Sequence, residues 1–170
     1  MSEAITVWIH IVAVTVWLGP QVFMFVVTVP ALRLIEDRAT RVRVMRFVIY
    51  RFGYLGWGAL AVIVLTGISN LFQVGADAPI GLGDPDYRYF HIFTLKMVLV
   101  GAMVGLTALH TLVIGPRQLR LAEEDRSESA EAKRLRGLSI AASGLVLLLS
   151  VATVYVAALL ANHGYSFQPI

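Results

Sequence analysis

Four histidines and one lysine are the residues whose chemistry stands out in this 170-residue chain: His10, His91, His110, His163 and Lys96. A neutral imidazole is a common ligand for transition metals and for haem iron, and a lysine set in apolar surroundings pairs well with an anion. Spacing decides which of them can work together. Along a helix the chain rises ~1.5 Å per residue, which puts His10 roughly 9 Å inside the start of a first apolar stretch and His91 at the start of a third. His163 follows the end of the fourth stretch. These three fall near one predicted side, and His10 and His91 can share a ligand if their helices pack together. His110 lies nineteen residues beyond His91, roughly 28 Å deeper, and cannot join them. The chain has no cysteine, which excludes disulfides, thiolate metal sites and haem attached through a Cys-x-x-Cys-His motif.

The elements that must hold these side chains are four apolar stretches at about 4–32, 54–74, 91–114 and 137–161. Each reaches or exceeds the ~20 residues that cross a hydrocarbon layer as a helix. A hydrophobic content of 58% and a mean hydropathy of +0.75 exceed what a soluble core needs. The expected fold is all-α, an integral membrane four-helix bundle, with residues 1–170 forming a single four-span transmembrane domain. Met1-Ser2-Glu3-Ala4 carries no positive charge ahead of the first stretch, so that span is expected to be retained rather than cleaved.

Twelve of the fourteen cations sit in two loops on one side. Arg33, Arg38, Arg41, Arg43, Arg46 and Arg51 belong to the first loop, and Arg117, Arg120, Arg126, Lys133, Arg134 and Arg136 to the third. By the positive-inside tendency these loops are cytoplasmic, both termini are outside, and the setting is a bacterial-type inner membrane. The net charge of +3 therefore reports topology, and no nucleic acid is expected as a partner. Residues 122–136 read as a charged extension of helix three or four. Residues 75–86, punctuated by Pro79, Gly81, Gly83 and Pro85, read as an irregular external cap.

Helical phase assigns faces. His10 shares a stripe with Val14, Trp17, Gln21, Met24 and Thr28, which gathers the polar and polarisable side chains of helix one and should face the bundle. His91 leads a face with Thr94, Val98, Gly101 and Gly105, whose glycine spacing admits close helix contact or a flat ligand. Lys96 costs on the order of 3 kcal/mol in a membrane and has no acidic partner inside any span, so an anionic ligand, Asp84 or Asp86 of the cap, or simple snorkelling to the interface is expected to satisfy it.

Trp8-Ile9-His10, Trp17-Leu18-Gly19 and Pro30-Ala31-Leu32, followed by Thr66-Gly67, Leu95-Lys96-Met97 and Pro116, resemble the copper-resistance D (CopD)-like membrane proteins and, more weakly, the HemJ-type protoporphyrinogen oxidases. The resemblance implies a four-helix bundle and carries over His10 and Lys96 as candidate functional positions of haem-binding relatives. The arginine that HemJ-like proteins have in the first helix is missing here, where Val26 and its neighbours are apolar.

Three functions of different classes follow. In the first, the protein binds haem b near the outer face and acts as an electron-transfer subunit. His10 and His91 are then the axial ligands, Lys96 and Arg88 neutralise the propionates, and Trp17 lines the ring; His163 or solvent is the alternative second ligand. Its partners would be quinone, an external redox protein or other membrane subunits. In the second, the protein handles copper through His10, His91 and His163. In the third, it is a non-catalytic membrane anchor or assembly subunit of a larger respiratory complex, or a homo-oligomer, packing through the glycines at 53, 56, 58, 101 and 105. No independent catalytic centre is evident. A channel or secondary transporter fits less well, because the spans hold no acidic relay.

Overall fold

A computed structural model describes residues 2–170 and shows helix wherever the sequence is apolar. Helix α1 (Ser2–Phe23) passes through a π-helical turn (Met24–Thr28) into α2 (Val29–Arg33), and α3 (Arg38–Asp77) returns. Helix α4 (Arg88–Leu109) passes through a second π-helical turn (His110–Ile114) into α5 (Gly115–Glu123). Helix α6 (Ala130–Ala161) and the single turn α7 (His163–Ser166) complete the chain. Four continuous rods long and apolar enough to cross a membrane result: Glu3–Arg33, Arg38–Asp77, Arg88–Glu123 and Ala130–Ala161.

Both π turns have the same local cause. Pro30 and Pro116 each lack an N–H and press on the carbonyl four residues back, and a wider turn just before the proline relieves that clash. The two odd-numbered rods thus carry matching defects at the same end of the bundle.

Helix α3 starts at Arg38, well before the apolar stretch near Tyr54, and α6 starts at Ala130 rather than near Gly137. Caps and charges explain the extra length. The Asp37 carboxylate accepts from the Thr40 N–H at 2.7 Å, and Ser129 accepts from the Ala132 N–H at 3.2 Å. Hydrogen bonds from the Thr40 side chain and backbone hold the Asp37 carboxyl below the usual carboxylate range. Arg38 then pairs with Asp125 at 2.9 Å and donates to the Ala122 carbonyl, while Arg46 pairs with Glu123. The charged extensions of the second and third rods are therefore bound to each other at what we call the arginine-rich end.

Helix α1 packs on α3 and α6, α4 packs on α6, and α5 packs on α3 and α6. The buried cluster at the centre is small: Trp17, Ala59, Leu60, Met103 and Val146. Large side chains point outward instead, with Trp8 64%, Leu65 68% and Leu148 68% exposed. Such a surface is stable only against lipid tails, and the protein is an integral membrane protein in contact with the bilayer. At mid-bundle the Trp17 indole N–H donates to Ser150 Oγ at 3.0 Å, and Ser150 donates to the Val146 carbonyl at 2.8 Å and lies 3.2 Å from Met103 Sδ. A Cβ added at Gly53, Gly58, Gly101 or Gly105 would meet nothing within 4 Å, so these glycines do not sit at close helix contacts.

The opposite, terminal end carries the cap and the tail. The chain after α6 folds back so that Arg88 N–H donates to the Gln168 carbonyl at 3.1 Å and Ile170 N–H to the Asp86 carbonyl at 3.0 Å, with Tyr87 and Pro169 bridged between them. Ser166 is fully buried beneath this tie and donates to the Leu160 carbonyl.

Candidate functional site

His10 is half-buried on α1, and its Nδ1 lies 2.7 Å from Thr66 Oγ1 on α3. The Thr66 hydroxyl already spends its one proton on the Val62 carbonyl at 2.6 Å. It can therefore only accept from His10, which makes Nδ1 the protonated nitrogen of the neutral ring and Nε2 the one that carries the lone pair. The ring lies over Gly67, where a Cβ would make ordinary contact with His10 Cε1 at 3.5 Å. A half-buried imidazole oriented by a hydroxyl, with its other nitrogen free, is the arrangement of a ligand held by an outer hydrogen bond.

Directly above His10, toward the terminal end, a cavity of about 240 Å³ opens between α1, α3 and α7. Val7 and Glu3 reach it from the His10 face of α1, one and two turns up. Asn70, Gln73 and Asp77 reach it from the Thr66 face of α3, and His163 and Phe167 from the tail. The His163 ring stacks on Phe167 at 4.5 Å and 11°. Asn70 Oδ1 is buried without a hydrogen-bond partner, and so is an acceptor available to a guest. Two carboxylates, an imidazole and a carboxamide oxygen at one mouth make a cation-attracting vestibule. Among the described residues, no three or more histidine, aspartate or glutamate side chains close into one metal-holding group.

Lys96 on α4 is half-buried, and its ammonium has no hydrogen-bond or ion-pair partner among the described residues. It lies within electrostatic reach of the His10 ring. The two positions carried over by resemblance thus share an electrostatic environment.

The remaining sequence-derived candidates are placed differently. His91 is exposed at the start of α4, where its Nε2–H donates to the Pro85 carbonyl at 2.9 Å and ties the cap to the helix. His10 bonds to Thr66 and His91 to Pro85, so the two rings have no common hydrogen-bond partner. The Arg88 guanidinium lies over the Tyr165 ring at 4.8 Å. Trp17 is 6% exposed, with its N–H satisfied by Ser150 and its ring edge 3.6 Å from a Cβ position at Gly56.

Sequence reading passed over Glu3, Thr66, Asn70 and Asp77 as site residues. Their signal was positional: polar groups three, four and seven apart at the same end of two adjacent helices, in line with His10. It also set His110 aside, yet that ring has the densest side-chain hydrogen bonding of the four, with Nε2 at 2.8 Å from Ser139 Oγ and 3.1 Å from Ser143 Oγ.

Residues 46–160, well over half of the chain, match the copper resistance protein D family. The chain belongs to that family. Within this copper resistance D protein the match takes in Thr66, Asn70, Asp77, Lys96 and His110, whereas His10 and Glu3 lie on α1 outside it. It does not show a HemJ-type relationship. No curated protein and no solved structure matches the chain.

Proposed function

We propose that this copper resistance D family protein handles copper ions as cargo, receiving them at its terminal end and holding them first at His10. The observation that carries this reading is the cavity whose lining includes Glu3, Asp77 and His163, with His10, oriented by Thr66, one helical turn below its lining residue Val7. Carboxylates facing low-dielectric walls raise the local concentration of a cation, and imidazole with oxygen donors suits copper(II). The reading places the arginine-rich end in the cytoplasm and the mouth outside, by the charge asymmetry of the loops. The test is a copper(II) titration of the purified protein in mild detergent, followed by electron paramagnetic resonance, alongside His10→Ala and a Glu3→Gln/Asp77→Asn double variant. Nitrogen hyperfine structure that disappears in His10→Ala, with weaker binding in the double variant, is expected. Equal binding by all three proteins refutes the proposal.

One observation favours a second reading. Lys96 brings an unpartnered positive charge within electrostatic reach of His10, which opposes a bare cation there and suits an anionic cofactor. In that reading His10 is an axial ligand of haem b, Lys96 meets a propionate, and the protein passes electrons between quinone and an external redox protein. Oxidised and dithionite-reduced visible spectra separate the two readings. A Soret band in protein made with ample haem, lost in His10→Ala, selects haem; a featureless spectrum with copper binding intact selects copper.

A further inference from the structure

The three histidines within the rods differ in the hydrogen-bond freedom of their partners, and that difference points to a separate site at the arginine-rich end. His10 is held by a threonine whose proton is committed, and His91 by a carbonyl, which can only accept. Each partner therefore only accepts, which fixes the ring nitrogen that carries the proton toward it. His110 faces two serines of α6, Ser139 and Ser143, one helical turn apart.

These serines are exceptional in how their hydroxyls are used. Thr66, Thr94, Thr107, Thr111, Ser150 and Thr153 all donate to the carbonyl four residues back in their own helix, the usual way to satisfy a hydroxyl in lipid. Ser139 and Ser143 turn to the imidazole instead. A hydroxyl with an uncommitted proton donates to a neutral ring nitrogen and, after a small rotation, accepts from a protonated one. The pair thus solvates both charge states of His110 without moving a heavy atom.

Backbone geometry presents the ring to this pair. His110 opens the π turn, its carbonyl accepting from the Gly115 N–H five residues on, and a Cβ at Gly115 would come within 3.3 Å of that oxygen. The surroundings carry no competing charge. Helix α6 offers the two serines, and α3 offers the Trp57 indole, which donates to Thr111 at 3.2 Å, and Ile49 near Gly115. Arg51, Arg117 and Arg136, the cations nearest along α3, α5 and α6, are all exposed, and none is bonded to the ring.

We propose that His110, Ser139 and Ser143 form a proton-binding site near the arginine-rich end, separate from the His10 site at the terminal end. The test is nuclear magnetic resonance of the full-length protein in lipid nanodiscs with ¹⁵N-histidine, titrated over about pH 5 to 9, the range in which imidazole changes charge. His110→Asn assigns the signal. The His110 ring should pass reversibly between neutral and charged forms while His91 keeps its Nε2–H. The Ser139→Ala/Ser143→Ala variant should move the His110 midpoint by about one pH unit, the scale of one hydrogen bond to a charged group. Each single alanine should move it part of the way, and Ser139→Thr should restore the wild-type midpoint. A His110 ring that keeps one form across the range, or a midpoint that no serine variant moves, overturns the proposal. Because the readout needs no copper or haem, its failure is independent of either reading of His10.

Discussion

Thr66→Val isolates the one hydrogen bond on which the His10 assignment rests. Valine keeps the branched shape of threonine and its helix contacts but removes the oxygen that accepts from His10 Nδ1–H at 2.7 Å. The Val62 carbonyl loses a second donor, not its helical one. With Thr66 gone the ring is free to rotate and to exchange tautomers, so Nε2 presents its lone pair only part of the time. Outer hydrogen-bond partners of metal-bound histidines typically contribute 10- to 100-fold in affinity. This bond is neutral and half-buried, which places it at the lower limit, about tenfold or ~1.4 kcal/mol. The assay is competition for copper against a chromophoric chelator, in detergent, at fixed pH. His10→Ala should lose far more than Thr66→Val, and Thr66→Ser, which keeps the hydroxyl, should bind within about twofold of wild type. Wild-type affinity in Thr66→Val, or a Thr66→Ser variant as weak as the valine, refutes the argument that the threonine sets the tautomer.

Other substitutions probe what surrounds this site. Ser150→Ala leaves the buried Trp17 N–H without an acceptor, and should lower stability by about 1 kcal/mol in a mixed-micelle unfolding titration, given the modest worth of hydrogen bonds between membrane helices. Gly67→Ala should be tolerated, since its Cβ would sit at an ordinary 3.5 Å from the His10 ring, whereas Gly67→Leu should displace the ring and abolish ligand binding as measured by the same competition assay. Asp37 caps α3 from outside the membrane, and its lowered carboxyl means that its contribution is present above the unfolded carboxylate value and fades as pH falls through the folded one. The protection factors of Thr40 and Arg41 against hydrogen exchange, corrected for the intrinsic rate at each pH, should therefore fall in acid and in Asp37→Ala at neutral pH, and Asp37→Asn, which still accepts, should keep them.

What could be read from the sequence alone was whatever depends on the chain's exchange between water and lipid. Four long apolar runs with Arg33, Arg38, Arg41, Arg43 and Arg46 beside them specify a membrane bundle, because every backbone group in lipid must be bonded within its own helix. Periodicity along single helices also sorted His10, Trp17 and Gln21 onto one face, and family resemblance singled out Lys96. Helix lengths were less legible. The caps at Asp37 and Ser129 and the pairing of Arg46 with Glu123 extend the rods past the apolar limits, and such pairing joins residues far apart in sequence.

Tertiary structure alone decided which helix faces meet. It put Thr66 against His10, so that one threonine fixes which nitrogen is free, and it raised Glu3, Asn70 and Asp77 above them as a mouth. It turned His91 to the Pro85 carbonyl and Arg88 to Tyr165, and gave His110 the two serines. In a membrane nearly every face of an apolar helix is compatible with its surroundings, so hydropathy cannot choose the partner. That choice falls to close packing at glycines and to a few hydrogen bonds between helices, which exist only once the bundle has formed.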